Sequence, residues 1–295
     1  MRCDCRANMS FEGISNIRDL GGILTADGHM VKRGMLFRSS QLTNATYEDI
    51  RRLREDYHVK LIIDLRTKEE RERMPNACLQ GIAEIWNPLY SDDIRKPDIF
   101  RLDESDVLLN RLKALFMIHA DEKNAAEEAR KLVREMVLEE GIDPDYYMSR
   151  MYQKFVNNQI VQKQVKQFFS MLINKRGGSI LFHCAAGKDR TGILTALLLY
   201  VLGVPKDRII ANYKDSAESS EDAVDFLLER MFPETMENYQ IYRTLASVFF
   251  NSKTCYIEAF FDALERDYVS IDNYLQKAIE IHVDNQVRLK TLYLE

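Results

Sequence analysis

The sequence predicts an α/β protein with a mostly parallel central sheet flanked by helices, carrying a helical insert or lid. Three observations lead there. Residues 60–65 and 179–183 are short, nearly continuous apolar runs of strand length, as expected for parallel strands buried on both faces. The second run passes through a glycine-containing loop directly into an apolar helical stretch, 191–202. Only 12 glycines and 6 prolines interrupt 295 residues, which leaves little linker and favours helices.

The elements follow in chain order. Gly21-Gly22 and Asp27-Gly28 mark turns, the latter with hairpin chemistry. Residues 35–38 read as a short strand. Residues 46–57 read as a helix, with Thr46 as N-cap and Ile50 and Leu53 one turn apart. Residues 60–65 form the first buried strand, and 82–86 a further strand. From about 95 to 145 charge rises and apolar residues recur at helical spacing, as in Leu108, Leu112 and Leu115, then Leu132, Val133 and Met136. These two stretches define the insert, either as a lid over a pocket or as ordinary packing helices. A third helix is expected over 145–173, packed on the sheet. Gly177-Gly178 ends it, residues 179–183 form a strand, and Gly203 with Pro205 stops the following helix. Residues 206–295 read as mostly helical. Arg18 and Asp19 are expected to pair and brace the sheet.

Composition narrows the function classes. Lys+Arg 41 against Asp+Glu 46 gives a net charge of −5, which argues against a nucleic-acid-binding face while permitting one local basic pocket. The longest apolar run, 193–202, is half the length of a membrane span, so no transmembrane segment is expected. The polar N-terminus has no apolar core of a secretory signal, and the five cysteines are odd in number and scattered. Reduced thiols and a cytoplasmic location are therefore expected.

The chemistry concentrates in His183-Cys184-Ala185-Ala186-Gly187-Lys188-Asp189-Arg190-Thr191-Gly192. A phosphate or other oxyanion must be held by several donors while a nucleophile sits below the phosphorus. Five residues between Cys184 and Arg190 suffice to curl the backbone so that the amides of Ala185, Ala186, Gly187 and Lys188 converge. The loop runs into a helix N-terminus, which favours an anion. Arg190 contributes a planar fork matched to two phosphate oxygens. Such a positive setting favours a nucleophilic thiolate at Cys184, and the Thr191 hydroxyl would assist its later departure. None of Cys3, Cys5, Cys78 or Cys255 has an arginine six residues on.

This string resembles the signature of the atypical bacterial tyrosine/serine phosphatases of the mycobacterial B type. The resemblance extends to Asn16-Ile-Arg-Asp-Leu-Gly-Gly22, to Gly34-Met-Leu-Phe-Arg-Ser-Ser40, and to Ile63-Asp-Leu-Arg66 with Glu70 and Arg71. It also covers Tyr256-Ile-Glu-Ala-Phe-Phe-Asp262 and Tyr274-Leu275, so it spans roughly 11–295 as one phosphatase domain. It implies a tyrosine-phosphatase-like fold and cofactor-free, metal-free hydrolysis through a phosphocysteine. It implies phosphotyrosine proteins as substrates, with phosphoserine/threonine or phosphoinositides also in reach.

The leaving group needs a proton, and no Trp-Pro-Asp is present, since the single tryptophan, Trp86, precedes Asn87-Pro88. Two acids remain open on the residues alone. Asp189 lies inside the loop, and Asp64 ends a strand at the face where ligands bind, unless Arg66 claims it. The resemblance favours Asp189. Lys188 is expected to add charge at the pocket mouth, and His183 to tune the loop by hydrogen bonding. Two rival readings are a phosphoprotein-binding pseudophosphatase and a rhodanese-type sulfurtransferase. The intact Cys184, Asp189 and Arg190 speak against the first, and the Arg-Thr-Gly ending against the second.

Overall fold

The computed structural model describes residues 9–89, 111–112, 115–116, 124–135, 141, 143–217, 221–232 and 239–295. Contacts divide the chain into two compact units. The first comprises Met1–Asp92, Gln159–Tyr213 and Leu264–Glu295, and the second Asp93–Asn158 and Lys214–Ala263.

The first unit contains a five-stranded sheet in the order β1-β2-β5-β3-β4. The strands are β1 (Arg18–Asp19), β2 (Leu36–Ser39), β3 (Val59–Asp64), β4 (Ala83–Trp86) and β5 (Ser179–His183). Only the β1–β2 pairing is antiparallel, so the expected mostly parallel α/β sheet is present. β5 is central and buried at every residue, which explains its unbroken apolar run. Its register pairs His183 with Ser39 of β2 and with Asp64 of β3, so three strand ends converge at one point.

The central strands β2 and β5 are buried at every residue, whereas the edge strand β4 is exposed along its length. Helix α1 (Tyr47–Glu55) starts at Thr46, whose side chain accepts from the Asp49 amide while Asp49 accepts from the Thr46 amide. It buries Ile50 and Leu53 in a core with Phe37, Ile62 and Leu181. Truncating Leu53 to alanine would cost roughly 2–5 kcal/mol. Helix α2 (Lys68–Arg73) begins with a second capping box, Thr67 and Glu70. Elsewhere in the unit, Phe168 of α5 (Gln159–Asn174) meets Phe182 edge-on at 5.1 Å. Helix α6 (Asp189–Val201) is apolar all round and buried along nearly its whole length. It starts two residues earlier than its apolar run suggests, because Asp189 and Arg190 belong to its first turn. Gly203 follows it with φ +87°, the left-handed position a helix C-terminus requires.

Helices α7 (Lys206–Lys214), α11 (Ile271–Lys277) and α12 (Val283–Tyr293) continue the chain, as the helical pattern of the tail suggests. One feature of the tail has no sequence signal: Leu294 bridges to Val31, and Glu295 and Met30 exchange backbone hydrogen bonds at 2.9 Å. The Arg18–Asp19 expectation is corrected. Adjacent strand residues point to opposite faces. Asp19 instead accepts from the amides of Gly21 and Gly34, and Arg18 donates to the Asn212 carbonyl at 3.1 Å.

The described part of the second unit is helical, with α3 (Ala125–Val133), α4 (Pro144–Asn157), α8 (Glu221–Met231), α9 (Tyr239–Phe250) and the start of α10 (Thr254–Tyr268). Phe232 stacks on Tyr242 at 4.4 Å, and Phe116 packs against Phe232 and Phe249. Asp145 at the start of α4 accepts from Lys253 and from the Tyr256 hydroxyl. The single helix expected over 145–173 is two, α4 and α5, because Asn158 takes an extended conformation between them. Much of the insert expected at 95–145 lies outside the described residues, as do Cys3 and Cys5. Among the described residues, no helix is long and apolar enough to cross a membrane.

Candidate active site

The loop from Cys184 to Arg190 leaves the C-terminal end of β5 and enters α6. Four consecutive carbonyls of this loop are held from outside it. His183 Nδ1 lies 3.1 Å from the Cys184 oxygen. The Gln41 amide donates to the Ala185 oxygen at 2.9 Å. Asn16 Nδ2 donates to the Ala186 oxygen at 3.0 Å, and Arg38 Nη2 to the Gly187 oxygen at 2.7 Å. In a planar trans peptide the N–H points opposite to the C=O. The amides of Ala185, Ala186, Gly187 and Lys188 therefore turn toward the interior of the curl. The first N–H groups of α6 add to them, since a helix start leaves them without partners in the helix. The result is an anion cradle at a helix N-terminus.

Gly187 makes this curl possible. Its φ is +71°, and a Cβ there would come within 2.4 Å of the Ser39 carbonyl oxygen. Cys184 is buried at the start of the curl. Thr191 is fully buried, and its hydroxyl has no hydrogen-bond partner among the described residues.

Arg190 closes the loop. Its Nη1 and Nη2 each lie 2.6 Å from a different oxygen of Glu70, a two-point pair buried on both sides. Glu70 also accepts from the Thr67 amide at 2.7 Å, so the residue that caps α2 also aims the arginine. Burial pushes the Glu70 carboxyl up, yet Arg190 and the Thr67 cap outweigh it and hold the carboxyl below its ordinary value.

Asp189 opens α6 and is largely buried, with Lys188 Nζ 3.2 Å from its carboxylate. Lys188 is 1% exposed, with its side chain folded back onto Asp189, so it is not a solvated surface charge. Asp64 sits in a different setting. It accepts from the Arg66 amide and guanidinium at 2.8–3.2 Å and from Arg71 Nε at 3.1 Å. Burial raises its proton affinity, but the guanidinium and backbone amide of Arg66 hold the carboxyl below its ordinary range. Asp64, Glu84 and His183 could converge on a metal ion. Arg66 and Arg71 already lie on Asp64, however, and the amide of Asn76 lies between the other two. A cavity of about 570 Å³ opens beside this group, lined by Arg71, Asn76, Glu84 and Trp86 and by no residue of the Cys184 loop.

The structure thus brings together His183, Cys184, Ala185, Ala186, Gly187, Lys188, Asp189, Arg190 and Thr191 on one curl, with Asp64 beside His183 at 3.9 Å. Sequence reasoning assigned no role to Asn16, Arg38, Gln41, Glu70 or Asn76. The capping-box spacing from Thr67 to Glu70 was legible, but it signals only a helix start.

The mostly parallel sheet flanked by helices defines the tyrosine-phosphatase-like α/β class. Residues 9–295 match the model described as the tyrosine phosphatase family, and the chain belongs to that family. It is similar to a protein of Cupriavidus necator that carries a tyrosine-protein phosphatase name, with 28% identity over 279 residues, 94% of this chain and 86% of the relative. It is 25% identical over 277 residues to the triple specificity protein phosphatase PtpB of Mycobacterium tuberculosis, covering 90% of this chain and 92% of that one. A tyrosine-protein phosphatase of Nostoc commune is 52% identical over 60 residues, 20% of each chain.

Proposed function

We propose that this phosphatase hydrolyses phosphomonoesters without a metal, through a phosphocysteine on Cys184. The observation that carries the reading is the anchoring of four successive loop carbonyls, which turns the following amides onto the space above Cys184. The phosphate dianion is held by those amides, the helix N-terminus and Arg190. The Cys184 thiolate attacks phosphorus, the ester P–O bond breaks, and the leaving oxygen takes a proton from Asp189. Water then attacks the phosphocysteine and gives its proton to Asp189, and the S–P bond breaks to return the thiolate. The buried Thr191 hydroxyl is available to hydrogen-bond that sulfur as it departs.

The Lys188–Asp189 pair supports the choice of acid. Lys188 favours the carboxylate while the loop holds no anion. An arriving dianion repels that carboxylate and favours its protonated form. Asp64, clamped by two arginines, acts as a brace. Substrates are phosphotyrosine proteins first, with phosphoserine/threonine and phosphoinositides within reach. The triple specificity named for the mycobacterial relative supports that breadth.

The test is turnover of p-nitrophenyl phosphate in EDTA, with acid-quenched protein examined by mass spectrometry for one added phosphoryl group on Cys184. Cys184→Ser is expected to lose turnover and keep phosphate affinity. Turnover in that variant would overturn the phosphocysteine route, and vanadate binding without turnover in the wild type would make the chain a binding module. Initial rates on phosphotyrosine, phosphoserine and phosphoinositide substrates then rank its specificity.

A further inference from the structure

Asn76 sits behind the site, outside the loop, and its amide orientation is determined by its neighbours. Its Oδ1 receives two groups that can only donate, Arg66 Nη2 at 2.8 Å and the Leu42 amide at 3.2 Å. Its Nδ2 therefore faces the other way, toward Glu84 Oε1 at 2.8 Å and His183 Nε2 at 3.2 Å. Nδ2 also lies 3.5 Å from Asp64 Oδ2, a longer contact than the other two, so its two hydrogens go to Glu84 and to Nε2 of His183, which is then the lone-pair nitrogen. The proton of the neutral ring then lies on Nδ1, which faces the Cys184 carbonyl at 3.1 Å.

We propose that Asn76 is a positioning residue of this phosphatase: it fixes His183 as the neutral Nδ1–H tautomer, which in turn holds the Cys184 carbonyl outward and the Ala185 amide inward. The inference rests on the assignment of Cys184 as nucleophile. The opposite tautomer would set a lone pair on Nδ1 against the carbonyl oxygen and release the first anchor of the curl. The charged groups around the ring are Asp64 at the end of β3, Arg66 beyond it, Glu84 on β4, and Arg71 of α2 lying on Asp64 and Glu84. His183 is fully buried, and burial outweighs Asp64 and Glu84 to disfavour the imidazolium. That agrees with an amide donor facing Nε2, since an imidazolium would set two donors against each other.

Asn76→Asp separates this role from mere support. The new carboxylate still accepts from Arg66 and Leu42 but presents an acceptor to His183 instead of a donor. His183 should then take up a second proton near neutral pH. As pH rises it should lose the Nδ1 proton and keep the one on Nε2, which is the wrong tautomer for the carbonyl. In 15N-labelled full-length protein, with His183 assigned by its loss in His183→Asn, the wild type should show a pyrrole-type Nδ1 and a pyridine-type Nε2 at neutral pH. Asn76→Asp should show an imidazolium at about pH 7, and its kcat should fall about tenfold as pH rises through that titration, with KM for p-nitrophenyl phosphate nearly constant. A wild-type Nε2–H tautomer, or an Asn76→Asp protein with the wild-type tautomer and kcat–pH profile, would overturn the proposal. The spectra do not depend on turnover, so an inactive wild type would count against the enzymatic reading and leave the tautomer assignment to be judged by itself.

Discussion

Glu70 holds Arg190 at two points, with both contacts at 2.6 Å and 120 residues apart in sequence. A guanidinium that must meet a phosphate needs its plane set in advance, and a bidentate carboxylate sets it. Glu70→Gln keeps the shape and one acceptor but removes the charge. Removing one partner of a buried pair costs about 3–5 kcal/mol. We expect a large drop in Tm and a fall in kcat/KM of about a hundredfold. A variant that melts with the wild type and keeps its activity would show that Arg190 is positioned by something else.

The same carboxylate predicts an acid limit. Glu70 and Asp64 are both held below their ordinary values of 4.5 and 3.8. A group with a depressed folded value stabilises the native state above its unfolded value, and that contribution is lost as pH falls through the folded one. Stability should therefore begin to decline as pH falls below about 6.5, where the buried neutral His183 favours the unfolded chain, and decline more steeply below about pH 4.5, where the two carboxylates add to it. Chemical denaturation across pH 3–7 measures it, and Glu70→Gln should show a shallower decline.

Asp189→Asn should lower kcat strongly for alkyl phosphates and much less for p-nitrophenyl phosphate, whose leaving group hardly needs a proton. Asp64→Asn should act differently, lowering Tm without that leaving-group dependence, because it unpairs the buried Arg66. A stronger leaving-group effect from Asp64→Asn would exchange the two roles.

Gly187→Ala tests the curl itself. The new methyl would be placed 2.4 Å from the Ser39 oxygen at a φ of +71°, and strained backbone of this kind costs about 1–3 kcal/mol before the clash is counted. Vanadate affinity should fall at least about tenfold while the far-UV spectrum is retained. Wild-type vanadate binding would mean that the loop amides do not hold the anion.

How much of this was legible beforehand follows from the range over which each force acts. Thr46 and Gly203 mark helix ends through contacts a few residues long, and both stand where turn and cap chemistry put them. The β5 strand, the loop and α6 follow from an apolar run, a glycine and a second apolar run in immediate succession. The same succession singled out Cys184 and Arg190 as candidates, since the chemistry proposed for them needs only its own spacing and a helix after it. Other features depend on strand order. Asn16, Arg38, Gln41, Glu70 and Asn76 reach the 183–190 segment because β2 and β3 flank β5 and all three end together. No local pattern encodes that adjacency, so the carbonyl anchors, the aimed arginine and the His183 tautomer became readable only in three dimensions. Asp64 shows the division within one residue. The sequence by itself placed it at a strand end near the site and left its role open. Tertiary structure surrounded it with Arg66 and Arg71, which commit its lone pairs to two guanidinium groups.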